Sequence, residues 1–310
     1  MELGVNAPLR RAWGTGDGPI DAYKFLGLDS FLLWAGEGAA RQPWGDKYEV
    51  DDFGRVWNAD PWFYIGGALR GSAELDRFTP PAQPERRIPD DWRRTIRENS
   101  GHPFMFMFHG PLELAYESMG IEHFCLALYD DPDFIHELFR RRTDFFIALA
   151  RRAVDIGCDY VMIGDDAAYK TGPLMSPRDY ERFVIPCYER IIRAFDVPVL
   201  LHSDGFVWDL LPMIRDVGIR GIHPLEPIAG MTLAGVKAAY PDLVVMGNVD
   251  CGEVLCRGTL QDVRSEVDRC MREAKAGGRY ILGSSNCLHD AVKPENAVEM
   301  YRYAREVGVY

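Results

Sequence analysis

The chain has 310 residues, 47% of them hydrophobic, and a formal net charge of −12. That is enough to bury the core of one α/β barrel domain, while the acidity argues against a nucleic-acid groove, which needs a basic face. No run of 18 apolar residues suggests a membrane span, and the opening Met-Glu-Leu-Gly-Val-Asn-Ala-Pro lacks the basic-then-apolar pattern of a secretory leader. Seven scattered cysteines without framework spacing fit reduced thiols and a cytoplasmic protein.

Taken in order, residues 21–26 read as a short helix and 31–34 as a first buried strand. Residues 47–66 alternate around the turn Asp52-Phe53-Gly54, which predicts a hairpin outside the main sheet. Residues 70–101 are polar and Pro-rich (Thr79-Pro-Pro-Ala-Gln-Pro), with one short helix over 90–99. Residues 1–101 thus form an N-terminal excursion, and 102–310 carry the regular part of a single domain. There the pattern reads strand 104–108, helix 111–118, helix 132–156 with Gly157 as its stop, and strand 160–163. Helix 177–195 follows, opened by Ser176-Pro177, then strand 198–202, helix 206–217 and strand 219–223. Helix 231–239, strand 243–247, helix 260–275, strand 279–283 and helix 294–307 complete the series. Strands alternating with helices predict a parallel sheet, closed as a (β/α)8 barrel whose eighth strand is hidden near the amino terminus. A doubly wound sheet is the alternative, but no Gly-x-Gly-x-x-Gly follows an early strand.

In such a barrel, groups at the carboxyl ends of the strands converge on one rim. This chain puts His109, Asp165, Asp166, His202, Asp204, His223, Glu226, Asn248, Asp250, Asn286, Cys287 and His289 just after apolar runs. His223 equally suits a loop hydrogen bond, Asp250 a helix cap, and Cys287 a buried inert thiol.

The stretches Val50-Asp-Asp-Phe-Gly-Arg-Val-Trp, Gly110-Pro-Leu-Glu, Met175-Ser-Pro-Arg-Asp-Tyr-Glu-Arg-Phe-Val-Ile-Pro, Pro198-Val-Leu-Leu-His-Ser-Asp-Gly, Met246-Gly-Asn-Val-Asp and Pro294-Glu-Asn together resemble the uroporphyrinogen decarboxylase superfamily. The resemblance covers most of the chain and implies a distorted (β/α)8 barrel with its site at the strand carboxyl ends. True decarboxylases of that superfamily carry an Arg-rich amino-terminal segment; this chain has Leu9-Arg-Arg-Ala-Trp in its place. Their essential Asp falls at about Gly36, and their late active-site His at about Asn286. A tetrapyrrole bearing eight carboxylates is a poor match for an acidic protein without that cluster.

The other branch comprises zinc-dependent methyltransferases that work with a corrinoid. One group uses His-x-Cys and a distant Cys; here the stretch reads His202-Ser203-Asp204, and Cys287 stands where the distant Cys falls. A second group, the methyltransferase component of O-demethylases, uses Glu, fourteen residues, Glu, twenty residues, His. Asp166, Glu181 and His202 stand at that spacing. The resemblance therefore implies a zinc site at His202, Asp166 and Glu181, with Cys287 or Glu226 in reserve. Asp165, Asp166 and Asp204 are the candidate catalytic carboxylates, Asp204 being expected to orient the His202 imidazole. His109, His223, Asn248 and Asn286 are candidate substrate contacts. The implied activity moves a methyl group from a small methylated donor, such as a methoxyaromatic, to a corrinoid (cobalamin) on a separate shuttle protein. The alternatives are a decarboxylase and a non-catalytic corrinoid- or tetrapyrrole-binding protein.

Overall fold

The structure is a computed structural model. It describes residues 1–310 except 17, 36–40, 59–63, 79–86 and 310, so Gly36 and the stretch beginning at Thr79 lie outside the described residues. Seven parallel strands form one curled sheet, in the order Phe31–Trp34, Phe104–His109, Tyr160–Gly164, Val199–His202, Gly221–His223, Val244–Met246 and Tyr280–Ile281. Helices cover the outside, and the fold is a (β/α)8-type barrel. The first chain segment lies beside the last strand: Val5 bridges Leu288 in parallel, Asn6 N–H donates to the Leu288 carbonyl at 3.0 Å, and Ser284 donates twice to the Glu2 carboxylate. This is the place where an eighth strand was expected.

The central strands are buried on both faces, as a parallel sheet under helices requires. All of Val161, Met162 and Ile163 are inaccessible, as are Phe104, Met105 and Phe106. Helix Pro132–Ile156 matches its expected span. Asp131 caps it by accepting from Phe134 N–H, and Gly157 ends it with φ 118°. It buries Phe145 and Phe146, which pack on Phe53 and Phe108. Each fully buried phenylalanine stabilises the fold by about 1.5–3 kcal/mol.

The expected helix over 177–195 is two helices, Pro177–Phe183 and Ile185–Arg193. Pro186 has no N–H to donate back to Arg182, and its ring crowds the preceding turn. For the same reason the helix over 206–217 becomes a 3₁₀ turn, Trp208–Leu210, then Leu211–Asp216 around Pro212. Helix Ile121–Asp130, which follows Gly120, was not foreseen.

The expected hairpin is part of a four-stranded antiparallel sheet, Arg41–Trp44, Tyr48–Asp51, Arg55–Trp57 and Tyr64–Gly67. Asp51 holds its turn by accepting from Phe53 N–H, Arg55 N–H, Arg55 Nε and Trp57 Nε1. Arg55 then reaches Glu117 at 3.0 Å, tying the sheet to helix Pro111–Met119. Gly67 lets the two touch: a Cβ there would stand 1.9 Å from the Ser118 carbonyl oxygen. No described helix is long and apolar enough to cross a membrane.

Candidate metal centre at the barrel rim

Strand Val199–His202 ends on His202, and its neighbour Gly221–His223 ends on His223. The two residues are partners in the parallel register, so their side chains leave the same face of the sheet. Their rings lie 5.1 Å apart at 28°, with Nδ1 of one 2.8 Å from Nδ1 of the other. Burial drives the pKa of His202 down and that of His223 far down, His223 also being lowered because a proton on it would face the neighbouring His202 ring. Both rings are therefore neutral at ordinary pH.

The other side of His202 faces carboxylates. Nε2 is 3.7 Å from Asp166 Oδ1 and 3.9 Å from Asp204 Oδ1. Asp166 follows strand Tyr160–Gly164, and its Oδ1 accepts the Asp204 N–H at 2.9 Å. Asn286 donates to Asp204 Oδ2 at 2.6 Å, which leaves Asp204 Oδ1 buried without a hydrogen-bond partner. Burial, then the nearby Asp166, Glu226 and Glu113, push the Asp204 carboxyl up to about 8. One ligand atom each from Asp166, His202 and Asp204 lies within 4.8 Å of the others.

These residues fit a metal better than they fit one another. The contacts at 3.7 and 3.9 Å are too long for hydrogen bonds. Ligand atoms around a tetrahedral zinc, at bonds of about 2.0–2.1 Å, stand roughly 3.3–3.5 Å apart, a little closer than the two separations from His202 Nε2. An imidazole nitrogen and two carboxylates form an ordinary zinc donor set, and a cation would relieve both the orphaned Asp204 oxygen and the repulsion between the carboxylates. Glu226 stands at the edge of this group, its Oε2 accepting the Gly205 N–H at 2.9 Å.

The remaining candidates fall in different places. Asp165 is fully buried, and its carboxylate accepts from Glu113 N–H at 2.6 Å, Tyr188 O–H at 2.8 Å and Leu112 N–H at 3.4 Å. It thereby clamps the start of helix Pro111–Met119, and burial still lifts it to about 7. Glu181 is exposed on helix Pro177–Phe183 and is not brought to the group. Cys287 is half-buried beside Gly4, outside the group, with burial pushing its thiol up to about 12. Asn248 is buried and tethered, donating to the Leu225 carbonyl and accepting from Arg269. His109 lies at the rim 3.5 Å from Glu113, edge-on to Trp34. Asp204, expected to orient the imidazole, faces its Nε2 at 3.9 Å, while Nδ1 is engaged by His223.

Glu113 was missed as a site residue. It ends the Gly110-Pro-Leu-Glu stretch in the first turn of helix Pro111–Met119, and its Oε2 faces the Asp166 N–H at 3.5 Å. Burial, followed by Asp166, Glu117 and Asp165, raises its pKa well above the usual carboxylate range. Gly110 permits this packing, since a Cβ there would lie 2.0 Å from the Asp165 carboxyl carbon. The only signal in the sequence was that motif. Tyr116, whose hydroxyl pKa is raised by burial and by Glu113, adds an aromatic group beside these carboxylates.

The family model described as uroporphyrinogen decarboxylase (URO-D) matches residues 67–307. The uroporphyrinogen decarboxylase of Myxococcus xanthus is 27% identical over 239 residues, covering 73% of this chain and 64% of the relative. The methylated-thiol–coenzyme M methyltransferase of Methanosarcina mazei is 23% identical over 207 residues, covering 67% of this chain and 54% of the relative. The chain thus spans less than two thirds of the length of either. Among solved structures, a methyltransferase from Methanosarcina mazei superposes with a TM-score of 0.77 at 17% identity, covering 99% of this chain and 93% of that one.

Proposed function

Because the chain belongs to the uroporphyrinogen decarboxylase family and gathers His202, Asp166 and Asp204 at its rim, we propose that it is a zinc-dependent methyltransferase. In this proposal it takes a methyl group from a small methylated donor, such as a methoxyaromatic, and passes it to a corrinoid carried by a separate shuttle protein. The observation that carries the reading is the buried, partnerless Asp204 oxygen facing His202 Nε2. The relatives named methyltransferases support it.

His202, Asp166 and Asp204 would hold the zinc, with Glu226 adjacent. Bound there, zinc supplies a Lewis acid that polarises the bond between the methyl carbon and its heteroatom. Asp166 is fixed by the Asp204 N–H and Asp204 by Asn286, so both carboxylates are preorganised. Oxygen-rich ligands make a harder site than thiolates do, which suits an oxygen leaving group. Glu113, kept protonated by burial and its acidic neighbours, holds a proton near that leaving oxygen. Trp34, Tyr64 and Tyr116 lie near His109 and Glu113 and offer flat apolar surface to an aromatic donor. Asp166 and Glu226 at the rim would repel the carboxylates of a porphyrinogen, which counts against decarboxylation.

The test is incubation of the zinc-loaded protein with cob(I)alamin and a panel of methoxyaromatics, following methylcobalamin by its absorbance. Methylcobalamin should form with at least one donor, and none should form with His202→Ala. Decarboxylation of uroporphyrinogen by metal-free protein would overturn the reading.

A further inference from the structure

The distance from Asp166 to His202 and Asp204 is set across two neighbouring strands. Tyr160–Gly164 and Val199–His202 pair in parallel register, and the main-chain bonds between them reach as far as Asp165 N–H to the His202 carbonyl, at 2.9 Å. Further out, Phe206 N–H donates to the Tyr169 carbonyl at 2.8 Å. Asp166 and Asp204 lie between these two ties. There side chains join the chains: Ser203 Oγ accepts the Ala167 N–H at 2.9 Å, and Asp166 Oδ1 accepts the Asp204 N–H at 2.9 Å. Each strand end thus offers a side-chain oxygen to a main-chain N–H of the other.

The partners of Ser203 fix its roles. Its hydroxyl donates to the Asp204 carbonyl at 3.2 Å, which can only accept, and its lone pair takes the Ala167 N–H. Its own N–H is committed to the His223 carbonyl at 2.7 Å. One residue therefore ties together the ends of three adjacent strands. Ser203 and Ala167 are both fully buried, so water cannot replace the hydroxyl.

We propose that Ser203 is a positioning residue: by holding the backbone at Ala167, its hydroxyl keeps Asp166 at the separation from His202 and Asp204 at which the three can share one cation. The identity of that cation rests on the zinc reading above; the tie between the strand ends does not. Donor atoms must be held within about 0.5 Å of their productive geometry, and the separations from His202 Nε2, 3.7 and 3.9 Å, are already a little wide. Without the hydroxyl, the buried Ala167 N–H has no acceptor. A shift that finds one carries the adjacent Asp166 with it and loosens the bond from Asp204 N–H to Asp166 Oδ1.

Two measurements test this. Amide hydrogen exchange in the metal-free wild type should show the Ala167 and Asp204 amides protected and opening together, because breaking either tie loosens the other. In Ser203→Ala, exchange of the Asp204 amide should accelerate about tenfold or more, the effect of losing one buried hydrogen bond. Zinc affinity, read by chelator competition, should fall about 10–100-fold in the same variant, the usual effect of removing a group that orients a ligand. Lost stability alone would not lower the affinity of a protein that is still folded. An Asp204 amide that exchanges equally fast in both proteins would overturn the proposal, as would a folded Ser203→Ala variant that binds zinc like wild type. Unequal opening of the two amides in wild type would also overturn it, which keeps the test decisive if the variant does not fold. A wild type that binds no zinc would sink the functional reading, and the exchange measurements would still decide this one.

Discussion

Replacing Asp165 separates holding the site from taking part in it. In Asp165→Ala, two short hydrogen bonds vanish, from Glu113 N–H at 2.6 Å and Tyr188 O–H at 2.8 Å, together with the longer one from Leu112 N–H at 3.4 Å. All three donors lie in the interior, where water cannot replace the carboxylate. A buried donor left without its acceptor costs about 1–3 kcal/mol. Counting the two short bonds fully and the long one lightly, the variant should lose about 3–5 kcal/mol. For a chain of 310 residues, at roughly 2.1 cal/mol/K of unfolding entropy per residue, that lowers the melting temperature by about 5–8 °C. Asp165→Asn retains an oxygen to accept from Glu113 N–H and should lose less than half as much. Urea unfolding followed by circular dichroism, with calorimetry for the midpoint, measures both. An Asp165→Ala protein within about 1 kcal/mol of wild type would refute the clamp.

Other outcomes follow from the same structure. Gly67→Ala would drive a methyl group to 1.9 Å from the Ser118 carbonyl oxygen and 2.4 Å from Met119 N; since both are backbone, the variant should be destabilised by about 3 kcal/mol in urea. The metal-free protein should lose stability as pH rises from 6.5 to 8.5. The folded pKa values of Asp165, about 7, and Asp204, about 8, lie above their ordinary value, so their stabilisation is complete below the unfolded pKa and is lost through the folded one. The depressed values of His202 and His223 act in the opposite sense, but only below about 6.5, where the unfolded histidines gain protons. Urea midpoints that rise across that window would contradict this assignment.

Much of the rim was legible because a buried strand announces itself and the residues just beyond it must face the barrel mouth. Asp166, His202, Asp204 and His223 were found that way. What they do was less legible. Pairing of His202 with His223 depends on the register between neighbouring strands, and which nitrogen of the imidazole Asp204 would face was open, because a position two residues on does not define a rotamer. Glu113 sits in the first turn of a helix, where an acidic residue reads as a complement to the helix dipole. Only the fold reveals that this helix starts against Asp165 and Asp166. The spacing that suggested Glu181 counts residues along the chain, whereas the short helix Pro177–Phe183 turns that side chain to solvent. In the fold itself, the helical periodicity continued through Pro186 and Pro212, but the hydrogen-bond ladder did not.

Calorimetric titration of the purified, metal-free protein with zinc tests the central claim most directly. The account predicts one strong site per chain, with binding that releases protons because the Asp204 carboxyl must ionise. His202→Ala should abolish that site while its circular dichroism stays that of the folded barrel. Absence of zinc binding in the wild type, or an undiminished site in His202→Ala, would contradict it.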